Sequence, residues 1–224
     1  MQPVAPALIP TSYAQLEETI REVSLWSPEI QVDIVDGVFV PFTSWPYVDG
    51  GNVSDLAQLS DRCAIEVDLM LMNPEEVVEA YLAAGVTHVV VHLESTTHLE
   101  RIIALRERYN FSLGFSINND TELSVLTSVI KDADYVQLMG IAHIGSQGQP
   151  FDERVIGRIR MLRAQHPGLF ISIDGSVNKE TLPRLFTAGA DRVVSGSAIL
   201  KALNPKAAYH ELMYIAQPTP QDPE

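Results

Sequence analysis

The sequence predicts an α/β protein of the (β/α)8 TIM-barrel type, and three observations carry that expectation. Short β-branched runs alternate with longer amphipathic segments from one end of the chain to the other. Eight such units fit into 224 residues at roughly 28 residues each, close to the ~250-residue norm of this barrel. A doubly wound sheet, the rival arrangement, calls for Gly-x-Gly-x-x-Gly after its first strand, and that pattern is absent.

Taken in order, residues 4–9 read as the first strand and 13–23 as a helix with apolar positions at helical spacing. The second strand, 30–35, contains Gln31, Val32, Asp33, Ile34 and Val35 and runs into Asp36-Gly37. Its β-branched residues suit a buried strand, in which Asp33 is costly unless it faces a metal, a partner or a polar pocket. Residues 36–52 form a long loop bearing Phe39, Phe42, Trp45 and Tyr47. These aromatics either pack on their own barrel or form a subunit contact. A short helix is expected over 53–59 and a third strand, AIEVDLM, over 64–70. Asn73-Pro74-Glu75-Glu76 then supplies an N-cap, an N1 proline and an acidic first turn, and Ala84-Gly85 the helix stop.

Strand four is expected over 86–93 with a helix over 97–108, and strand five over 111–117 with a helix over 121–130. Strand six (135–139) is followed by a glycine-rich loop, 140–151, and a helix over 153–165. Strand seven (169–173) ends in Asp174-Gly175-Ser176 before a helix over 179–188. Strand eight (192–195) leads into Gly196-Ser197 and the final helical region. One barrel domain is expected over 1–216, with 217–224, which carries three prolines, as a disordered tail.

The charge balance narrows the function. A net charge of −14 and a pI near 4.7 disfavour a nucleic-acid partner. With only four lysines, an anionic ligand has to be held by backbone N–H groups, helix N-termini or a local arginine. The single cysteine, Cys63, excludes a disulfide framework and CxxC zinc binding. No run of about 18 apolar residues and no basic, apolar leader is seen, so a cytoplasmic protein without a membrane partner is expected.

Chemistry in such barrels sits at the C-terminal ends of the strands. The polar residues there are Gln31 and Asp33 on strand two, Asp68 on strand three, His92 and Glu94 on strand four, and Asp174 on strand seven. Gln31 and Asp33 are spaced i, i+2 and share one side of their strand, and Glu66 and Asp68 repeat that spacing. Carboxylates converging on one mouth suit a hard cation or a proton-transfer pair. Gly175-Ser176 and Gly196-Ser197 follow strands seven and eight, where barrels commonly hold phosphate on helix N-termini, and Gly145-Ser146-Gln147-Gly148 can form a third side or a lid.

The stretches VDIVDGVFVP, EVDLMLMNPEEVVEAYLAAGVTHVVVHLE, IDGSV and GADRVVSGSAIL resemble, in order and spacing, the signatures of the ribulose-phosphate 3-epimerase family. That resemblance implies interconversion of ribulose 5-phosphate and xylulose 5-phosphate or a related phosphorylated ketose, in a homo-oligomer. One aspartate removes the C3 proton, a second returns a proton to the opposite face, and a divalent metal stabilises the enediolate. Asp33 and Asp174 match the acid/base pair. The metal set would be Gln31, Asp33, Asp68 and Asp174, and the phosphate would lie on Gly145, Ser146, Gly175, Ser176, Gly196 and Ser197. The chain departs from the family at Gln31 and Asp68, where histidine ligands are usual, and at Ala7, Val35 and the 140–149 loop. Losing both imidazoles shifts the expectation from zinc or iron towards magnesium or manganese, or to no metal. Without a metal, His143 is a possible electrophile. The alternative is a catalytically altered barrel that binds a sugar phosphate without epimerising it. A Schiff-base lyase is disfavoured, because Lys131, Lys179, Lys201 and Lys206 all fall on helices or loops.

Overall fold

A computed structural model of the chain describes residues 1–217. Eight parallel strands close into one barrel in sequence order, each paired with its neighbours and β8 returning to β1. The strands are β1 (Val4–Leu8), β2 (Glu29–Val35), β3 (Ala64–Met70), β4 (His88–His92), β5 (Ser112–Ile117), β6 (Tyr135–Met139), β7 (Ile171–Asp174) and β8 (Arg192–Ser195). The expected (β/α)8 architecture is therefore present.

The main helices are α1 (Tyr13–Val23), α2 (Val78–Ala83), α3 (Leu99–Ala104), α4 (Ser124–Thr127), α5 (Arg154–Gln165), α6 (Leu182–Ala188), α7 (Ser197–Leu200) and α8 (Pro205–Ile215). α1 begins where Ser12 Oγ accepts the Gln15 N–H, and it buries Leu16, Ile20 and Val23 against the sheet. The large apolar core lies between strands and helices, where Val32, Ile34, Val67, Leu69, Val89 and Val91 face outward from the barrel. Trp45 is fully buried in that core, whereas Phe42 and Tyr47 are exposed. The aromatic loop thus divides between packing on its own barrel and facing out.

Several helical expectations are corrected. The helix over 121–130 shrinks to α4 and a 3₁₀ turn, Ile130–Asp132. Thr121, Val125, Thr127 and Val129 lose rotamer freedom in a helix, and the segment holds only one regular turn. Asn73 is not a side-chain N-cap. Its φ of 53° is left-handed and its Oδ1 accepts from Thr97 Oγ1 at 3.0 Å. Glu75 Oε1 instead accepts the Thr97 and His98 N–H groups just ahead of α3. The helix expected from 179 starts only at Leu182, because Asn178 Oδ1 accepts the Glu180 and Thr181 N–H groups in a turn. Apart from Gln217, the tail lies outside the described residues.

Candidate functional site

The inside of the barrel is unusually polar for this architecture, whose interior is ordinarily filled by Val, Ile and Leu. The i, i+2 positions of each strand face inward together, and hydrogen bonds between strands that are not neighbours locate them in the interior. Gln31 of β2 reaches Asp174 of β7, and Gln137 of β6 reaches Asp68 of β3. Nearer the N-terminal ends of the strands, Glu66 accepts from Tyr135 Oη at 2.6 Å and from Arg192 at 2.9 and 3.1 Å. Arg192 Nε also lies 3.4 Å from Glu29. Glu66 and Asp68, two of a kind in sequence, therefore belong to different levels.

At the upper level Asp33, Asp68 and Asp174 come together, each offering a carboxylate oxygen within 4.8 Å of the others. Gln31 Nε2 donates to Asp33 Oδ1 at 2.8 Å and to Asp174 Oδ2 at 3.1 Å. Asp68 is fully buried. Its Oδ2 accepts from Gln137 Nε2 at 2.8 Å, and its Oδ1 lies 3.2 Å from His92 Nε2. Burial, then the nearby Asp174 and Asp68 charges, push the Asp33 carboxyl well above the usual range. Burial and then Asp68 push Asp174 up to about 7, against the lowering effect of hydrogen bonds from Gln31 and the Gly175 N–H. For His92, burial works against the charged ring, but the Asp68 charge and hydrogen bond, with Glu94 and Asp174 beyond, raise its pKa overall.

Above the carboxylates opens a cavity of about 320 Å³. Asp33 and Asp174 line it, as do Gly145, Ser146, Gly175, Ser176, Gly196 and Ser197, so the eight catalytic and phosphate candidates share one space. Ile9, Met70, Met139 and Ile141 form an apolar wall. Gly196 is the N-cap of α7. A Cβ there would stand 3.1 Å from the Ala7 carbonyl and 2.4 Å from Gln147 Nε2, so a larger residue would displace the Gln147 amide from this corner of the cavity. Gly175-Ser176, expected at a helix start, does not open one; it forms a pair of positive-φ residues (101° and 52°) ahead of the Asn178 turn, and the helix begins only at Leu182. Ser176 Oγ donates to the Gln149 carbonyl and ties the β6 loop to this pair.

Other candidates fall elsewhere. His143 is exposed and does not line the cavity. Glu94 is turned towards the next loop, where Oε1 accepts the Asn118 N–H and the Thr121 hydroxyl. The four lysines are exposed and none lines the cavity. Sequence reasoning missed Gln137. A lone amide inside the apolar run YVQLM was the available signal for Gln137, since a buried strand gains nothing from glutamine.

Two features bear on a cation. The donor set of three carboxylates and an amide is of the hard-oxygen kind that suits Mg²⁺ or Mn²⁺. Gln31 Oε1 is buried without a hydrogen-bond partner, and a half-turn of the amide exchanges it with the nitrogen that now meets Asp33 and Asp174. The residues therefore fit a divalent cation.

Comparison with known proteins gives a consistent picture. The model of the "Ribulose-phosphate 3 epimerase family" matches residues 3–200. The ribulose-phosphate 3-epimerase of Bacillus subtilis (strain 168) is 33% identical over 216 residues, covering 93% of this chain and 97% of the relative. That of Aquifex aeolicus (strain VF5) is 30% identical over 219 residues, covering 95% and 96%. Among solved structures, a 3-hexulose-6-phosphate synthase superposes with a TM-score of 0.68 at 21% identity, over 95% of this chain and 97% of that one. An orotidine 5'-phosphate decarboxylase from Pyrococcus horikoshii OT3 gives 0.69 at 17%, over 96% and 100%, a likeness of fold alone. With nearly the whole barrel matched in sequence, the chain belongs to the ribulose-phosphate 3-epimerase family.

Proposed function

We propose that the chain is an isomerase that epimerises a phosphorylated ketose at C3, with ribulose 5-phosphate and xylulose 5-phosphate as the first substrates to test. The observation that carries this reading is the pair Asp33 and Asp174. They come from β2 and β7, line the same cavity, share the Gln31 amide, and both titrate above the ordinary carboxylate range. Epimerisation needs two such groups, one on each face of the carbon, with affinities for the proton near the working pH.

In this reading one carboxylate takes the C3 proton and the other, protonated, delivers a proton to the opposite face. Repulsion among the three carboxylates favours one shared proton in the resting site. Without a cation, Gln31 holds both reactive side chains in register through its Nε2 hydrogens, and a half-turn of the amide would present Oε1 when a cation binds. The backbone N–H groups around Gly175-Ser176 and Gly196-Ser197 take the phosphate, and the apolar wall keeps water from the reacting carbon. Asp33, Asp68 and Asp174, with Gln31 through Oε1, would hold Mg²⁺ or Mn²⁺, which supplies positive charge to acidify C3 and offset the developing oxyanion.

The test is turnover in D2O. Wild type should epimerise ribulose 5-phosphate with deuterium entering C3. Asp174→Asn should lose about 10²–10⁴-fold in epimerisation while still exchanging the C3 hydrogen of one epimer. A wild-type protein that binds ribulose 5-phosphate without any C3 exchange in the presence of Mg²⁺ or Mn²⁺ would sink the proposal. It would leave the second reading, a ketose-phosphate-binding barrel without turnover. That reading is supported by the Gln31 amide, whose hydrogens occupy both carboxylates.

A further inference from the structure

We propose that Gln137 and His92 are positioning residues that hold Asp68 as a preformed carboxylate member of the cation site. The inference rests on the preceding reading of the three carboxylates and extends it to two side chains outside the ligand set. Asp68 sits at 0% exposure with one oxygen on Gln137 Nε2 and the other beside His92 Nε2. Among the described residues no lysine or arginine pairs with it. Its orientation is therefore set from two sides, by β6 and β4, in hydrogen bonds that leave each oxygen further lone-pair capacity.

Two features favour positioning over mere packing. Gln137 Oε1 and His92 Nδ1 are both buried without a hydrogen-bond partner. Each side chain therefore leaves one polar atom unpaired while its other end meets Asp68, whose oxygens a leucine at either position would leave without that partner. Gln137 also donates without bringing charge. An arginine there would satisfy Asp68 equally well but would cancel the field that draws a cation. His92 is oriented in turn by the Phe39 ring, 5.5 Å away, whose backbone N–H is held by Asp36 Oδ1 at 3.0 Å. Groups that orient metal-binding side chains in this way commonly contribute 10–100-fold in metal affinity.

The experiment is a Mn²⁺ titration followed by electron paramagnetic resonance, with Mn²⁺ as the only probe. Gln137→Leu should weaken Mn²⁺ binding by about 10–100-fold. In an Asp68→Asn background the same substitution should change it by less than about twofold, because the group it positions has lost its charge. His92→Leu should weaken binding and His92→Gln, which keeps a donor, should restore most of it. The His92 pair decides the question if Gln137→Leu does not fold. Mn²⁺ affinity unchanged in Gln137→Leu, an equal loss in the Asp68→Asn background, no rescue by His92→Gln, or no Mn²⁺ binding by wild type would each overturn the proposal. Epimerase activity is scored separately. A protein that fails to turn over ribulose 5-phosphate but shows the Mn²⁺ coupling removes the function and keeps the positioning role.

Discussion

At the lower level of the barrel, Glu29 and Glu66 are matched by the Arg192 guanidinium and the Tyr135 hydroxyl. Further along the same two strands, Asp33 and Asp68 meet only neutral amides, an imidazole and a third carboxylate, Asp174. Both groups are buried on inward-facing positions, so burial does not separate them. Compensation does. The lower cluster resembles a closed ion network that ties β2, β3, β6 and β8 across the interior. The upper cluster brings three carboxylates together beside a cavity with no lysine or arginine paired to them among the described residues, an arrangement that costs stability and is explained only by a ligand or a proton. Buried carboxylates without a matching guanidinium are thus the mark of the site.

Removing the compensation below should have the largest effect on stability. Arg192→Met leaves two buried carboxylates without a counter-charge, and urea denaturation should show a loss of about 3–5 kcal/mol. A loss under about 1 kcal/mol would mean that the lower level is no better compensated than the upper.

The upper cluster should show the opposite sign. Asp33 and Asp174 titrate higher in the folded chain than in the unfolded one. Between the ordinary value of 3.8 and about 7, the folded protein therefore holds more protons than the unfolded chain. Their contribution is most favourable below the lower value and is lost as pH rises through the upper one. Asp174→Asn should accordingly be more stable than wild type at about pH 8, by roughly 1–3 kcal/mol, with the gap closing towards pH 4. The figure is held below the full shift because Asp174 is partly open to the cavity. A pH-independent difference would remove the assigned strain.

The smallest effect is expected from Tyr135→Phe. Glu66 Oε2 loses one donor but keeps Arg192 at 3.1 Å, so the loss should be about 1–2 kcal/mol in thermal or urea denaturation. A value near that of Arg192→Met would shift the weight of the lower network from the ion pair to the phenol.

Legibility in the sequence followed the strength of the local signal. β3, β6, β8 and α1 lie where their apolar periods indicate, because period-2 and period-3.6 patterns are local and were uninterrupted. The short helices of the middle units were overestimated. In the segment around α4 the β-branched residues weaken the helix, and at Asn73 a left-handed backbone and a bond to Thr97 replaced the expected cap. The glycine-serine pairs are visible as phosphate candidates, whereas a helix read from residue 179 overlooks the Asn178 side chain, which caps a turn and delays α6 to Leu182.

By itself, then, the sequence determined the barrel, the family, and the side of each strand on which Gln31, Asp33, Glu66 and Asp68 stand, because these depend on spacing along one strand. Tertiary structure alone decided which carboxylates meet. Two residues along a strand amount to about 6–7 Å, enough to send Glu66 to Arg192 and Tyr135 while Asp68 joins Asp33 and Asp174. It also decided that Gln137 donates to Asp68 across the interior. Closure of the barrel sets β3 opposite β6 and β2 opposite β7, and pairings made through space leave no trace in the local pattern of residues.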